Sequence, residues 1–330
     1  MRPHPDNACS GKYDDWLEVN LLPECNGSCP WCIENGGYHP VERASWKRIV
    51  EVAIGTGKKN IILLGGEPTI HPDIGDIVRS LNMADRDVYV TTNGSMLSGS
   101  FVLDNLRWAR GVNISVHDYN LPRNKEITGI DLVHFELLDA IDDLHEYGAS
   151  VRMNCNCIKG YIDSVGEMNR YISFAKSLGA DSVRFAELKG DGGDFVDLVS
   201  ILGDIHDLSE DPFSCGCSVD VTMQGLPVNL RIMCGLQTPH RRPPIDPEQT
   251  LHDVLYYDGN LYQGWQREEI DMDSKAEQAV VEVLGKLDNA LITFEEAKAE
   301  IVRIFDEFES PPSKKKSGTV GYSTGAGCVY

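Results

Sequence analysis

The chain has 330 residues, 42% hydrophobic and 25% charged, the proportions of a protein that buries a sizeable core rather than of a disordered or fibrous one. Its formal charge of -21 opposes a nucleic-acid backbone, and the basic runs Arg241-Arg242 and Lys314-Lys315-Lys316 are short, so neither DNA nor RNA is expected as a partner. No apolar run is long enough to cross a bilayer, and the N-terminus lacks the basic-then-apolar order of a secretory signal, so no membrane partner and a cytoplasmic location are expected.

After an N-terminal extension of residues 1–14, short apolar runs alternate with helical periodicities up to residue 190. The expected strands are 16–22, 60–64, 87–92, 111–116, 150–155 and 182–186; the expected helices are 45–54, 72–81, 132–147 and 165–178. Six strands alternating with helices imply an α/β fold with a parallel sheet and right-handed crossovers, open or curled into part of a barrel. Functional groups then gather at the C-terminal ends of the strands.

The first such end carries Leu22-Leu-Pro-Glu-Cys25-Asn-Gly-Ser-Cys29-Pro-Trp31-Cys32. Ten cysteines without secretory context point to metal or redox chemistry, and three closely spaced thiolates can hold three irons of a [4Fe-4S] cube with the fourth iron open. The competing reading is a zinc knuckle, which would need a partnering pair not obvious nearby. The second strand ends in Gly65-Gly66-Glu67-Pro68, with two residues that allow close backbone approach and a carboxylate able to accept from an ammonium group. The third strand ends in Thr92 and Asn93, the fourth in Ser115, His117 and Asp118, and Asn154 shares a face of the fifth with Arg152. Each of these polar groups could instead serve its own turn. Cys155 and Cys157 read as packing cysteines, and Glu187 with Lys189 as either ligand contacts or a surface ion pair.

The Cx3Cx2C spacing and the GGEP turn resemble the signatures of the radical S-adenosylmethionine (SAM) superfamily. The stretches Asn154–Gly160 and Ser182–Gly190 are similar to the branch containing the molybdenum-cofactor GTP 3',8-cyclase and the SPASM/twitch-domain enzymes. The resemblance implies a partial (β/α)6 TIM-like barrel over residues 15–190. It implies a [4Fe-4S] cluster on Cys25, Cys29 and Cys32, and SAM held by Gly65, Gly66, Glu67, Thr92, Asn93, Ser115 and Asn154.

Residues 191–309 form a smaller C-terminal α+β region. Turn pairs Gln224-Gly225 and Asp258-Gly259 predict two hairpins, and helices are expected near 196–207, 274–287 and 293–308. Cys215, Cys217 and Cys234 flank the first hairpin, in a layout resembling an auxiliary iron-sulfur cluster; a zinc site completed by His206 or His240 is the rival. The tail 310–330, rich in Pro, Ser, Lys and Gly, reads as mobile, with a lid role for Tyr322, Cys328 or Tyr330 as the alternative.

The function implied is reductive cleavage of SAM to a 5'-deoxyadenosyl radical that abstracts hydrogen from a small metabolite or peptide side chain, with electrons from a flavodoxin- or ferredoxin-type reductant. A GTP 3',8-cyclase-like rearrangement is the alternative, weakened by the few cations visible for a triphosphate. A non-catalytic iron-sulfur or zinc protein is the alternative from another class.

Overall fold

The computed structural model describes residues 15–32, 34, 42–188, 193–202, 218–232 and 253–263, with the isolated positions 283, 286, 296, 299 and 300. Strands β1 (Trp16–Asn20), β2 (Asn60–Leu64), β3 (Asp87–Thr92), β4 (Gly111–Ser115), β5 (Ser150–Asn156) and β6 (Ser182–Ala186) lie side by side in chain order, all parallel. Helices Trp46–Gly55, Ile74–Met83, His134–Glu146 and Val165–Ser177 pack on one face of the sheet. Ser45 and Ser164 start two of them by accepting from the backbone N–H of Arg48 and Glu167.

Alternation along the strands separates two faces. Leu17, Val19, Ile61, Leu63, Val88, Val90, Val112, Ile114, Val151, Met153, Val183 and Phe185 join the helices in one apolar core. The other face carries a small apolar cluster of Trp16, Ile62, Leu64 and Tyr89, with the buried polar Glu18 and Asn20 on the same side of β1. From the end of β3 onward it is mostly polar: Thr91, Asn113, Arg152, Asn154 and Arg184 are all buried there. Such a face is stable only when its polar groups find partners, and Asn113 Nδ2 donates to Thr91 Oγ1 at 3.0 Å while Arg152 Nε donates to Asn154 Oδ1 at 2.9 Å.

Both expected hairpins form: β7 (Ser218–Met223) with β8 (Leu226–Arg231), and β9 (Asp253–Leu255) with β10 (Leu261–Gln263). Their described strands do not build a separate layer. β8 adds parallel to β6 and β9 adds parallel to β1, so the hairpins extend opposite edges of a single open sheet ordered β10-β9-β1-β2-β3-β4-β5-β6-β8-β7. In the first turn Gln224 (φ 50°) and Gly225 (φ 77°) both take left-handed conformations. The Gln224 side chain anchors the tip to helix 165–177, donating to the carbonyl of Asn169 at 2.9 Å and accepting from Ser173 Oγ at 3.0 Å.

One helix, Leu121–Thr128, escapes the periodicity reading because it buries the polar Asn124 and Thr128 rather than an apolar stripe. Its boundaries are legible in another way, from Pro122 in its first turn and Gly129 at φ 75° just past its end. Of the expected C-terminal helices, Leu198–Leu202 is seen in the first, and residues 283, 286, 296, 299 and 300 are helical in the other two, where Lys286 pairs with Glu300 at 3.4 Å. Cys215, Cys217, Cys234, His206, His240, Lys189 and the tail 310–330 lie outside the described residues.

Candidate active site

The loop carrying Cys25, Cys29 and Cys32 is pinned from two sides. Gly66 N donates to Leu22 O at 2.7 Å and Glu67 N to Glu24 O at 2.8 Å, while Ser28 N donates to Thr128 O at 2.7 Å. The glycine pair is therefore needed first for backbone meeting backbone. A Cβ on Gly66 would stand 2.0 Å from Glu24 O, and one on Gly65, at φ 140°, 2.5 Å from Leu22 O. The β9–β10 turn adds a third support: Arg43, ion-paired with Glu24, lies over the Tyr257 ring at 5.7 Å.

Cys25 is exposed, and Cys29 and Cys32 are half-buried. Gly27 N donates to Cys25 Sγ at 3.2 Å and Asn93 Nδ2 approaches it at 3.8 Å, the donors that stabilise a thiolate. Burial, with the neighbouring Cys32 and Cys25, pushes the Cys29 thiol up to about 12. Ionising such a group calls for a compensating positive centre, as a metal-bound thiolate has. Among the described residues no three His, Cys, Asp or Glu side chains surround one ion position. A cube is bound corner by corner, so its thiolates need not converge as the ligands of a single ion do.

All three cysteines share one cavity with Gly65, Gly66, Glu67, Thr92, Asn93, Ser115 and Asn154, so the strand ends bring together the residues that the resemblance assigned to the first cluster and to SAM. Their hydrogen bonds divide them. Glu67, 1% exposed, accepts at Oε1 from Thr69 N (3.0 Å), Thr69 Oγ1 (2.5 Å) and Thr92 Oγ1 (2.7 Å), and at Oε2 from Asn93 N (2.6 Å). Burial nonetheless holds its carboxyl above the usual range. Thr92 Oγ1 also accepts from Gly94 N at 3.1 Å, and Asn93 Nδ2 donates to Asn26 Oδ1 at 2.8 Å. Glu67, Thr92 and Asn93 thus form a clamp that ties the ends of β2 and β3 to the cysteine loop. Ser115 and Asn154 stand abreast in the β4–β5 register and face the cavity.

His117, Arg184, Glu187 and Arg231 also line the cavity. Glu187 is not part of a surface ion pair: it is 1% exposed and accepts from Leu198 N at 2.9 Å. Asp118 serves its loop, accepting from Asn120 N at 2.8 Å and pairing with Arg123 at 3.3 Å. His117, by contrast, lines the cavity, with Trp31 edge-on to its ring at 5.4 Å. Cys155 and Cys157 are buried as packing thiols. Sequence reading missed Arg184 and Arg231, both buried and both on the cavity. Arg184, Asn229 and Asp220 stand abreast across β6, β8 and β7, with Arg184 Nε donating to Asn229 Oδ1 at 2.9 Å. The alternation in Ser-Val-Arg-Phe-Ala was the available signal, since it puts Arg184 on the face of Ser182 and Ala186.

Residues 19–172 match the family model of the Radical SAM superfamily. That match takes in just under half of the chain. Over 167 residues it is 30% identical to a probable GTP 3',8-cyclase of Thermococcus kodakarensis, covering 49% of this chain and 53% of that one. It spans about half the length of several such curated relatives. The GTP 3',8-cyclase of Aquifex aeolicus is 25% identical over 255 residues, covering 74% of this chain and 72% of its own. Among solved structures, Streptococcus suis SuiB bound to S-adenosylmethionine superposes with a TM-score of 0.54 at 16% identity, over 78% of this chain and 63% of that one. At that identity the likeness is one of fold. The matched residues run from β1 into helix 165–177, and so include the cysteine loop and the GGEP turn. Among the described residues no helix is long and apolar enough to cross a membrane.

Proposed function

We propose that this chain is a radical SAM enzyme in which Cys25, Cys29 and Cys32 hold a [4Fe-4S] cluster and the adjoining cavity receives SAM and substrate. The observation that carries the reading is the single cavity shared by three thiols and by polar groups from the ends of β2, β3, β4 and β5. When bound, the cluster and SAM supply a 5'-deoxyadenosyl radical able to abstract hydrogen from an unactivated carbon. The chain itself binds and shields. Gly27 and Asn93 donate toward Cys25, the Glu67 clamp fixes the loop, and Ser115 and Asn154 offer hydrogen bonds to SAM. Leu188, Ile130 and Trp31 border the cavity with apolar surface that limits water at the reacting carbon.

Arg184 and Arg231 favour a substrate with an anionic group, a carboxylate or a phosphate, and so give support to the second reading, a GTP 3',8-cyclase-like rearrangement. They supply cations that the acidic composition hides. A peptide side chain remains within the first reading. Cys215, Cys217 and Cys234 would carry a second cluster in the C-terminal region, and a flavodoxin- or ferredoxin-type protein would deliver the electron.

The test is anaerobic reconstitution of the full chain, reduction with SAM present, and assay for 5'-deoxyadenosine and methionine. Both products are expected from the wild type and neither from the Cys25→Ala/Cys29→Ala/Cys32→Ala variant. Their absence from the wild type removes the enzyme reading. The same triple variant should retain about four irons if a second cube is present; iron near zero removes the second cluster.

A further inference from the structure

The cavity contains one polar ring with no part in the function above. His117 is 7% exposed and held on every side but one. The backbone N–H of Asn156 donates to Nδ1 at 3.0 Å. A ring nitrogen that accepts carries no proton, so the neutral imidazole bears its hydrogen on Nε2. The residue's own backbone is fixed too, with N donating to Asn124 Oδ1 at 2.7 Å and O accepting from the Cys155 thiol at 3.8 Å. Trp31 closes the flank of the ring in an edge-on contact with planes at 89°. Among the described residues nothing accepts from Nε2, while the ring borders the cavity together with Ser115 and Asn154. A fixed donor in a cavity wall points to an acceptor brought by a ligand.

Which ligand is decided by the neighbour. Trp31 belongs to the loop between Cys29 and Cys32, so the ring stands beside the part of the cavity next to the cradle, where the ligand chelated by the open iron would sit. We propose that His117 is a SAM-binding residue, donating one hydrogen bond from Nε2 to an acceptor atom of the bound cofactor. The proposal rests on the reading of the cavity as a SAM site. It also assigns the protonation state: with Nδ1 occupied as an acceptor, the ring binds as a neutral donor and not as a general base.

Two substitutions separate this role from a merely structural one. His117→Asn keeps an acceptor where Nδ1 receives the Asn156 N–H but has no donor at the Nε2 position; His117→Gln does the reverse. The measurement is the dissociation constant for SAM of the anaerobically reconstituted full chain, by equilibrium dialysis, with iron content determined on the same samples. His117→Asn is expected to weaken SAM on the order of tenfold with iron unchanged, and His117→Gln to stay within about threefold of wild type. The inference is overturned if His117→Asn binds SAM as the wild type does, or if His117→Gln loses as much affinity as His117→Asn. Should His117→Gln fail to fold, the His117→Asn result decides alone. A wild-type chain that holds iron but does not bind SAM overturns the functional reading itself, and the inference falls with it.

Discussion

His117 links the site to stability as well as to binding. Burial lowers its pKa from the ordinary 6.5 to about 4, so on acidification the unfolded chain takes up this proton first. Stability supplied by the neutral ring is complete above 6.5 and is lost as pH falls toward 4. Between pH 7 and 5 the loss through this one group is about 2 kcal/mol. Urea unfolding of the wild type and of His117→Asn at both pH values checks it; equal losses in the two proteins would mean that the ring is already solvated. Glu67 has the opposite sign, because a buried carboxyl whose pKa is raised favours the folded state at low pH and loses that contribution as pH rises. The four hydrogen bonds it accepts, from Thr69, Thr92 and Asn93, lower the pKa and limit that effect.

At the scale of elements, the cradle is a product of two loops in register. β1 and β2 are parallel neighbours from Trp16 beside Asn60 to Asn20 beside Leu64, so the cysteine loop and the GGEP turn leave the sheet together and their backbones bond directly. Gly66→Ala forces a Cβ into the Glu24 carbonyl, which is backbone and cannot swing aside. The expected outcome is a folded chain that loses most of its iron on reconstitution, read by iron analysis beside circular dichroism. Full iron in that variant would show that the loop can shift without losing the cluster. Helix Leu121–Thr128 supports the cysteine loop from the other side through the Thr128 carbonyl, while its buried polar side chains hold the backbone around it, Asn124 Oδ1 accepting from His117 N and Thr128 Oγ1 from Ile130 N.

For the whole molecule, the sheet has the six parallel strands β1 to β6 in the middle and its C-terminal hairpins at both ends. Ending the chain after residue 217 would leave β1 and β6 as bare edges with unpaired backbone groups. That truncated protein is expected to self-associate, eluting earlier than the full chain on size exclusion despite its smaller mass; elution in proportion to its mass would show that the core covers its own edges. The sequence alone determined the βα alternation of the core, the positions of its six parallel strands to within one or two residues, the thiol cradle and both hairpin turns. These are local signals, carried by period, by spacing and by turn pairs. Tertiary structure decided where the hairpins go, because edge pairing is a contact between residues far apart in the chain. It also decided that Glu67, Thr92 and Asn93 clamp one another, that Glu187 is buried, and that Arg184 and Arg231 reach the same cavity as the cysteines. Each depends on which strands become neighbours, and neither periodicity nor spacing within a segment contains that information.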